Sequence, residues 1–158
     1  MKRQDEFDTM VVLVMAQLYD AFPIEIEIEE RSIAEKMGIE IEEIERSYGE
    51  SEPRYNYGKL GSAVYFHNMF YSTLKWLRSE RYIRAEGDFA TKDVVLSKFG
   101  LAALKKAPSG LNPAATVGEM LAEAAKTVGK EAGRATIASV IGDLIGSAAG
   151  VLAKSMLS

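Results

Sequence analysis

Ser62-Ala63-Val64-Tyr65-Phe66-His67-Asn68-Met69-Phe70-Tyr71-Ser72-Thr73-Leu74-Lys75-Trp76-Leu77-Arg78-Ser79-Glu80 is the run that decides the fold. At 100° per residue, Phe66, Met69, Phe70, Thr73, Leu74 and Leu77 share one face. Asn68, Tyr71, Lys75 and Arg78 lie on the opposite one. The pattern predicts an amphipathic helix over about 62–80 with one side in a core and the other open. Directly after it, Tyr82 to Glu86 predicts a strand, Gly87-Asp88-Phe89-Ala90 a turn, and Asp93 to Ser97 the returning strand. Lys98 to Lys106 then predicts a short closing helix.

Working back toward the N-terminus, Phe7, Met10, Val11, Val14, Leu18 and Ala21 recur at helical spacing and predict a helix over 5–21, ended by Pro23. Ile24, Ile26 and Ile28 alternate with Glu25, Glu27 and Glu29, the period of a half-exposed strand. Ser32 and Glu35 have capping-box spacing, which predicts a helix from Ile33 to Met37 stopped by Gly38. Glu40 to Tyr48 reads as a second, acidic helix with Ile41 and Ile44 on one side. Gly49 to Lys59, with Pro53, Asn56 and Gly58, reads as a loop. The sum is a mainly α chain with a small β-wing.

The runs Leu74-Lys75-Trp76-Leu77-Arg78-Ser79-Glu80-Arg81-Tyr82-Ile83 and Val94-Val95-Leu96-Ser97-Lys98-Phe99-Gly100-Leu101-Ala102-Ala103-Leu104 resemble the end of a winged helix-turn-helix in prokaryotic regulators. With the long loop before it, the segment over about 5–106 is similar to the N-terminal domain of Mrr-type restriction endonucleases. The resemblance implies a winged-helix domain over 1–107 that binds DNA through the 62–80 helix and the 84–93 wing. It departs from the pattern twice. The turn at Arg81, where glycine is usual, is basic, and the acidic stretch 40–52 sits near the implied DNA side.

The remaining chain has a different character. Residues 108–113 (Pro108-Ser109-Gly110-Leu111-Asn112-Pro113) form a linker, and 114–158 a Gly/Ala-rich segment that predicts a helical hairpin or bundle. Thr116 to Lys130 reads as one helix, with Val117, Leu121, Ala124, Ala125 and Val128 on one side. Arg134 to Met156 reads as a second helix with three sectors. Ala135, Ser139, Gly142, Gly146, Ala149, Gly150 and Ala153 make a small-residue stripe. Ile137, Val140, Ile141, Leu144, Val151 and Leu152 make an apolar face, and Thr136, Asp143, Ser147 and Lys154 a narrow polar one. Each interior glycine costs roughly 0.8–1 kcal/mol of helix propensity, a cost that close helix–helix approach offsets. The stripe therefore predicts self-association into a homo-oligomer. The alternative is a membrane-associated effector or scaffold, because Ala135 to Ala153 nears the length of a spanning helix. Against it, Asp143 near the bilayer centre would cost about 2.5–3.5 kcal/mol.

Charge is unevenly distributed. The chain of 158 residues has a net charge of −4. Asp20 to Glu52 holds 12 acidic and 3 basic residues, while Pro53 to Lys106 holds 4 acidic and 10 basic. The basic half points to a polyanion-binding face. The acidic 20–52 surface is a candidate site for a protein partner, and a solvated acidic edge strand is the simpler account of Glu25, Glu27 and Glu29.

Catalysis finds no support in the residues. The chain has no Gly-x-Ser-x-Gly elbow, no Gly-x-x-x-x-Gly-Lys-Ser/Thr loop and no Gly-x-Gly-x-x-Gly turn. It has no cysteine and a single histidine, His67, and the Glu-x-Lys or Asp-x-Lys of the Mrr nuclease domain is absent. The expectation is a non-enzymatic, cytoplasmic DNA-binding protein without metal or cofactor. Its DNA contacts would be Asn68, Tyr71, Lys75 and Arg78 on the helix, with Arg84 and Lys92 holding phosphates and Arg54 and Lys59 as additions. The aromatic group Tyr48, Tyr55, Tyr57, Tyr65, Phe66, Phe70, Tyr71 and Trp76 is read as core packing rather than a stacking surface, with Trp76 at the core's rim.

Overall fold

A computed structural model describes residues 2–45, 49, 53–87, 91–106, 115–130 and 133–157, with side chains up to Lys154. Tyr48, the tip of the wing at 88–90 and the linker at 108–113 lie outside the described residues. The protein is mainly helical with two small antiparallel two-stranded sheets. Its elements run α1 (Arg3–Ala21), α2 (Glu30–Lys36), β1 (Ile41–Ile44), β2 (Arg54–Tyr57), α3 (Phe66–Ser79), β3 (Ile83–Arg84), β4 (Val95–Leu96), α4 (Lys98–Lys105), α5 (Val117–Ala125) and α6 (Gly133–Leu157).

α1 is the axis of the core. Its residues Thr9 to Met15 are all buried, so the helix is enclosed on every side rather than on one stripe. α3 covers one part of it, and α5 and α6 cover another. Val117, Leu121, Ala124, Ile137, Val140, Ile141 and Leu144 belong to the same buried cluster as Met10, Phe70 and Leu77. The contact with α5 is close at Gly118, where an added Cβ would stand 2.6 Å from the Tyr19 ring.

Local signals explain several boundaries. Gly38, at φ +71°, closes α2 by donating from its N–H to the Glu35 carbonyl while the Ile39 N–H reaches the Ala34 carbonyl. The Ser97 hydroxyl caps α4 by accepting from the Gly100 N–H at 2.9 Å and donates to the Arg81 carbonyl. At Gly100 any Cβ would sit 2.1 Å from the Tyr82 carbonyl oxygen, so the start of α4 can lie on the β3 turn only with glycine there.

Five expectations from the sequence are corrected. Within the acidic helix expected over Glu40 to Tyr48, Ile41–Ile44 is instead strand β1, and the loop expected over Gly49 to Lys59 contains its partner β2, registered Ile41 to Tyr57 and Ile44 to Arg54. Ile39 and Ile41 alternate with Glu40 and Glu42, and pairing with the tyrosines of β2 overrides the helix preference of glutamate. α2 begins at Glu30, with Glu29 rather than Ser32 at its N-cap and no side-chain cap. The strand expected over 24–28 is only a bridge, Ile26 exchanging backbone hydrogen bonds with Val94 at 2.9 Å each way. α3 starts at Phe66, four residues later than expected, because Leu60 to Tyr65 folds into a turn with Ala63 at φ +68°. That turn is clasped by buried Glu6, whose two carboxylate oxygens accept from the Ser62 N–H and hydroxyl at 2.7 Å.

Candidate nucleic-acid interface

The two faces of α3 are sorted as its periodicity predicts. Phe66, Met69, Phe70, Thr73, Leu74 and Leu77 are buried. Asn68, Lys75 and Arg78 are exposed and Tyr71 is half-buried. Tyr71 loses part of its surface to neighbouring rings, lying 5.2 Å edge-on from Phe70 and 4.8 Å from the His67 imidazole.

Arg78 ties this face to the β3–β4 hairpin, donating from its guanidinium to the Gly87 carbonyl at 2.7 Å. Arg84 and Lys92 are exposed on that hairpin. Among the described residues, Lys75, Arg84 and Lys92 make no ion pair. Glu80, Glu86 and Asp93 are exposed on the same elements, so the face is mixed in charge rather than uniformly basic. Of the two additional basic residues, Lys59 is engaged elsewhere, its ammonium 5.0 Å above the Tyr65 ring. Arg54 pairs with Ile44 across the β1–β2 hairpin.

One group beside this face escaped the sequence reading. Glu30, at the start of α2, is hydrogen-bonded to His67, its carboxyl oxygen 2.7 Å from Nδ1, and its side chain is largely enclosed. Arg31 donates to the Tyr55 hydroxyl and lies 4.8 Å over its ring, so the β1–β2 hairpin is pinned to α2. From Tyr55 the rings continue through Tyr57, Phe66 and Phe70 to Tyr71. Burial raises the Glu30 carboxyl above the usual glutamate range, and His67 opposes that shift. Burial, reinforced by the Glu30 charge, pushes the Tyr57 hydroxyl up to about 12 and raises Tyr71 in the same direction. The aromatic group carries the sequence signal for this cluster, and Glu30 joins it because α2 starts at Glu30 rather than at Ile33. Trp76 sits at the core's rim between Phe7 and Tyr82, as its flanking residues suggested.

The small-residue stripe of α6 is a second open surface. Ala135, Ser139, Gly142, Gly146, Ala149, Gly150 and Ala153 are all exposed. Of the apolar face, Ile137, Val140, Ile141 and Leu144 are buried against the core, Val151 is half-buried and Leu152 is 40% exposed. A Cβ built at Gly142 or Gly146 meets nothing within 4 Å, so nothing in the single chain calls for glycine at either position.

The exposed acidic residues Glu25, Glu27 and Glu29 line the segment after α1, and no group of three acidic or histidine side chains fit to hold a metal occurs among the described residues. No family model, no curated protein and no solved structure matches this chain.

Proposed function

We propose that this is a non-enzymatic winged-helix protein that binds duplex DNA through α3 and the β3–β4 hairpin and self-associates through the outer face of α6. The observation that carries the DNA reading is the state of the α3 polar face. Asn68, Lys75 and Arg78 stand exposed on a helix whose other side is anchored in the core, next to a hairpin bearing Arg84 and Lys92. A major groove accepts a helix of this kind. Lysine and arginine there reach phosphates or guanine edges, and asparagine pairs with adenine. The Arg78 bond to the hairpin carbonyl holds recognition helix and wing in one register.

Self-association would place several such faces side by side and raise the effective concentration of each on DNA. It is supported by glycines that face open space in the single chain and by the 47% and 40% exposure of Ile145 and Leu152.

A membrane role for α6 is the second reading, favoured by its stretch Gly133–Lys154, which is by length and composition apolar enough to cross a membrane and is mostly unburied. Insertion would first have to strip Ile137, Val140, Ile141 and Leu144 from the core. At about 1.5–3 kcal/mol per buried side chain, that costs on the order of 6–12 kcal/mol. We therefore favour an assembly surface.

The DNA reading is tested by anisotropy of a fluorescent mixed-sequence duplex, comparing the protein with its Lys75→Glu/Arg78→Glu variant over a range of salt. Affinity should fall by at least about tenfold near 0.1 M salt, and the salt slope by roughly two units for two lost phosphate contacts. Equal affinity and slope would remove α3 from the interface.

A further inference from the structure

A cavity of about 530 Å³ opens where the N-terminal helices meet the α5–α6 turn. It is well within the range of pockets that hold small organic ligands. Ile39, Leu60, Val128 and Ile137 supply apolar walls, drawn from four separate stretches of chain. The lining also includes Glu6, which is 1% exposed and has its two oxygens engaged by Ser62. The rim carries Lys130 and Arg134, both exposed. Neither makes an ion pair among the described residues, whereas the neighbouring Lys126 is taken up by Glu123 at 3.0 Å.

We propose that this cavity binds a small monocarboxylic acid with an apolar body, its carboxylate at Lys130 and Arg134 and its body between Ile39, Leu60, Val128 and Ile137. The polarity of the site sets the orientation. A carboxylate placed beside Glu6 would meet a buried acid whose two oxygens already take up the Ser62 donors, so the acid end of a ligand is disfavoured there. At the rim the same group meets two cations and keeps part of its hydration. The apolar body replaces water against aliphatic side chains, which drives association. A ligand seated there touches both the turn before α3, through Leu60, and the start of α6, through Ile137. It therefore bridges the parts of the molecule that bear the two open surfaces. The proposal does not depend on the DNA reading.

Calorimetric titration of the full chain with octanoate, octylamine and 1-octanol tests it, with circular dichroism as a check on folding of each variant. Octanoate should bind with one equivalent per chain, and octylamine should not bind. Lys130→Gln/Arg134→Gln should weaken octanoate by at least about tenfold, equal to 1.4 kcal/mol, while changing 1-octanol little. Val128→Trp, which fills the cavity from the α5–α6 turn, should abolish binding of both octanoate and 1-octanol. Absence of octanoate binding at millimolar concentration, stronger binding of octylamine, or octanoate affinity unchanged in both variants would each overturn the proposal. The last result would place the acid on another apolar surface, such as the outer face of α6.

Discussion

α3 and α6 are both two-sided helices with one face in the common core, yet they present opposite problems. In α3 the inner face is aromatic and aliphatic, and the outer face carries asparagine, lysine and arginine. In α6 the inner face is Ile137, Val140, Ile141 and Leu144, and the outer face is glycine, alanine and serine. Contrast in polarity makes the first helix self-explanatory. The second has contrast in size but little in polarity, so either side could be the buried one until the packing is seen. The difference teaches that an exposed face can be chemically expressive through charge or through the absence of side chains. Only the charged kind announces its partner.

The sharpest way to break the comparison is to truncate the inner face of each helix. Phe70→Ala in α3 should cost about 3–5 kcal/mol and Leu144→Ala in α6 about 2–5 kcal/mol, because both side chains are fully packed. Denaturant unfolding followed by Trp76 fluorescence measures both. If Leu144→Ala left the transition at Trp76 unchanged, α6 would not share the core that α1 organises.

The outer face of α6 is probed next. Gly142→Ala/Gly146→Ala adds two methyl groups where a Cβ meets nothing in the single chain. Helix propensity then predicts a gain of roughly 1.6–2 kcal/mol in thermal unfolding of the monomer. If the stripe is an assembly surface, the same substitution weakens self-association in sedimentation velocity. A gain in stability with assembly unchanged would assign the glycines no role in it.

A smaller effect sits where α3 turns into β3. Arg81 has φ +67°, a conformation that penalises residues with a Cβ. Arg81→Gly should raise stability by about 1 kcal/mol by relieving that strain, less the backbone entropy glycine gains on unfolding. A loss of stability would mean the Arg81 side chain contributes more than its backbone costs.

The smallest expected effect concerns pH on the α3 side. Burial raises the folded Glu30 carboxyl above its unfolded value, so the folded state holds its proton to higher pH. The favourable contribution is complete below the unfolded pKa and is lost as pH rises through the folded one, in the mildly acidic range. Asp8, also raised by burial, acts in the same sense. Glu30→Gln should flatten this part of the stability profile while leaving the Asp8 share. A steeper profile in the variant would show that the pairing with His67 outweighs burial.

Much of this architecture was legible in the residues, and the failures have physical causes. The faces of α3, the start of α4 at Lys98 and the existence of two C-terminal helices followed from periodicity and local chemistry, although α5 ends at Ala125 rather than at Lys130. The β1–β2 hairpin did not, because glutamates at 40, 42, 43 and 45 favour helix locally. What reverses that preference is the tyrosine pairing across the hairpin and the Arg31 contact to Tyr55, neither of them local. The enclosure of α1 was hidden for a similar reason. Val12, Leu13 and Met15 break its one-sided pattern, and their burial makes sense only once helices more than 100 positions away cover them. The candidate interface was half legible. The exposure of Asn68, Lys75, Arg78, Arg84 and Lys92 follows from the sequence pattern, whereas the Glu30–His67 pair and the ring series from Tyr55 to Tyr71 depend on an element boundary that no local rule placed.

The central claim is that α3 and the β3–β4 hairpin form the DNA-binding face. Backbone amide resonances followed during titration with a short mixed-sequence duplex test it most directly. The account predicts shifts concentrated at Asn68, Tyr71, Lys75 and Arg78 and at Arg84 and Lys92, diminishing as salt is raised. Shifts confined to the β1–β2 hairpin or to α6, with α3 silent, would contradict it.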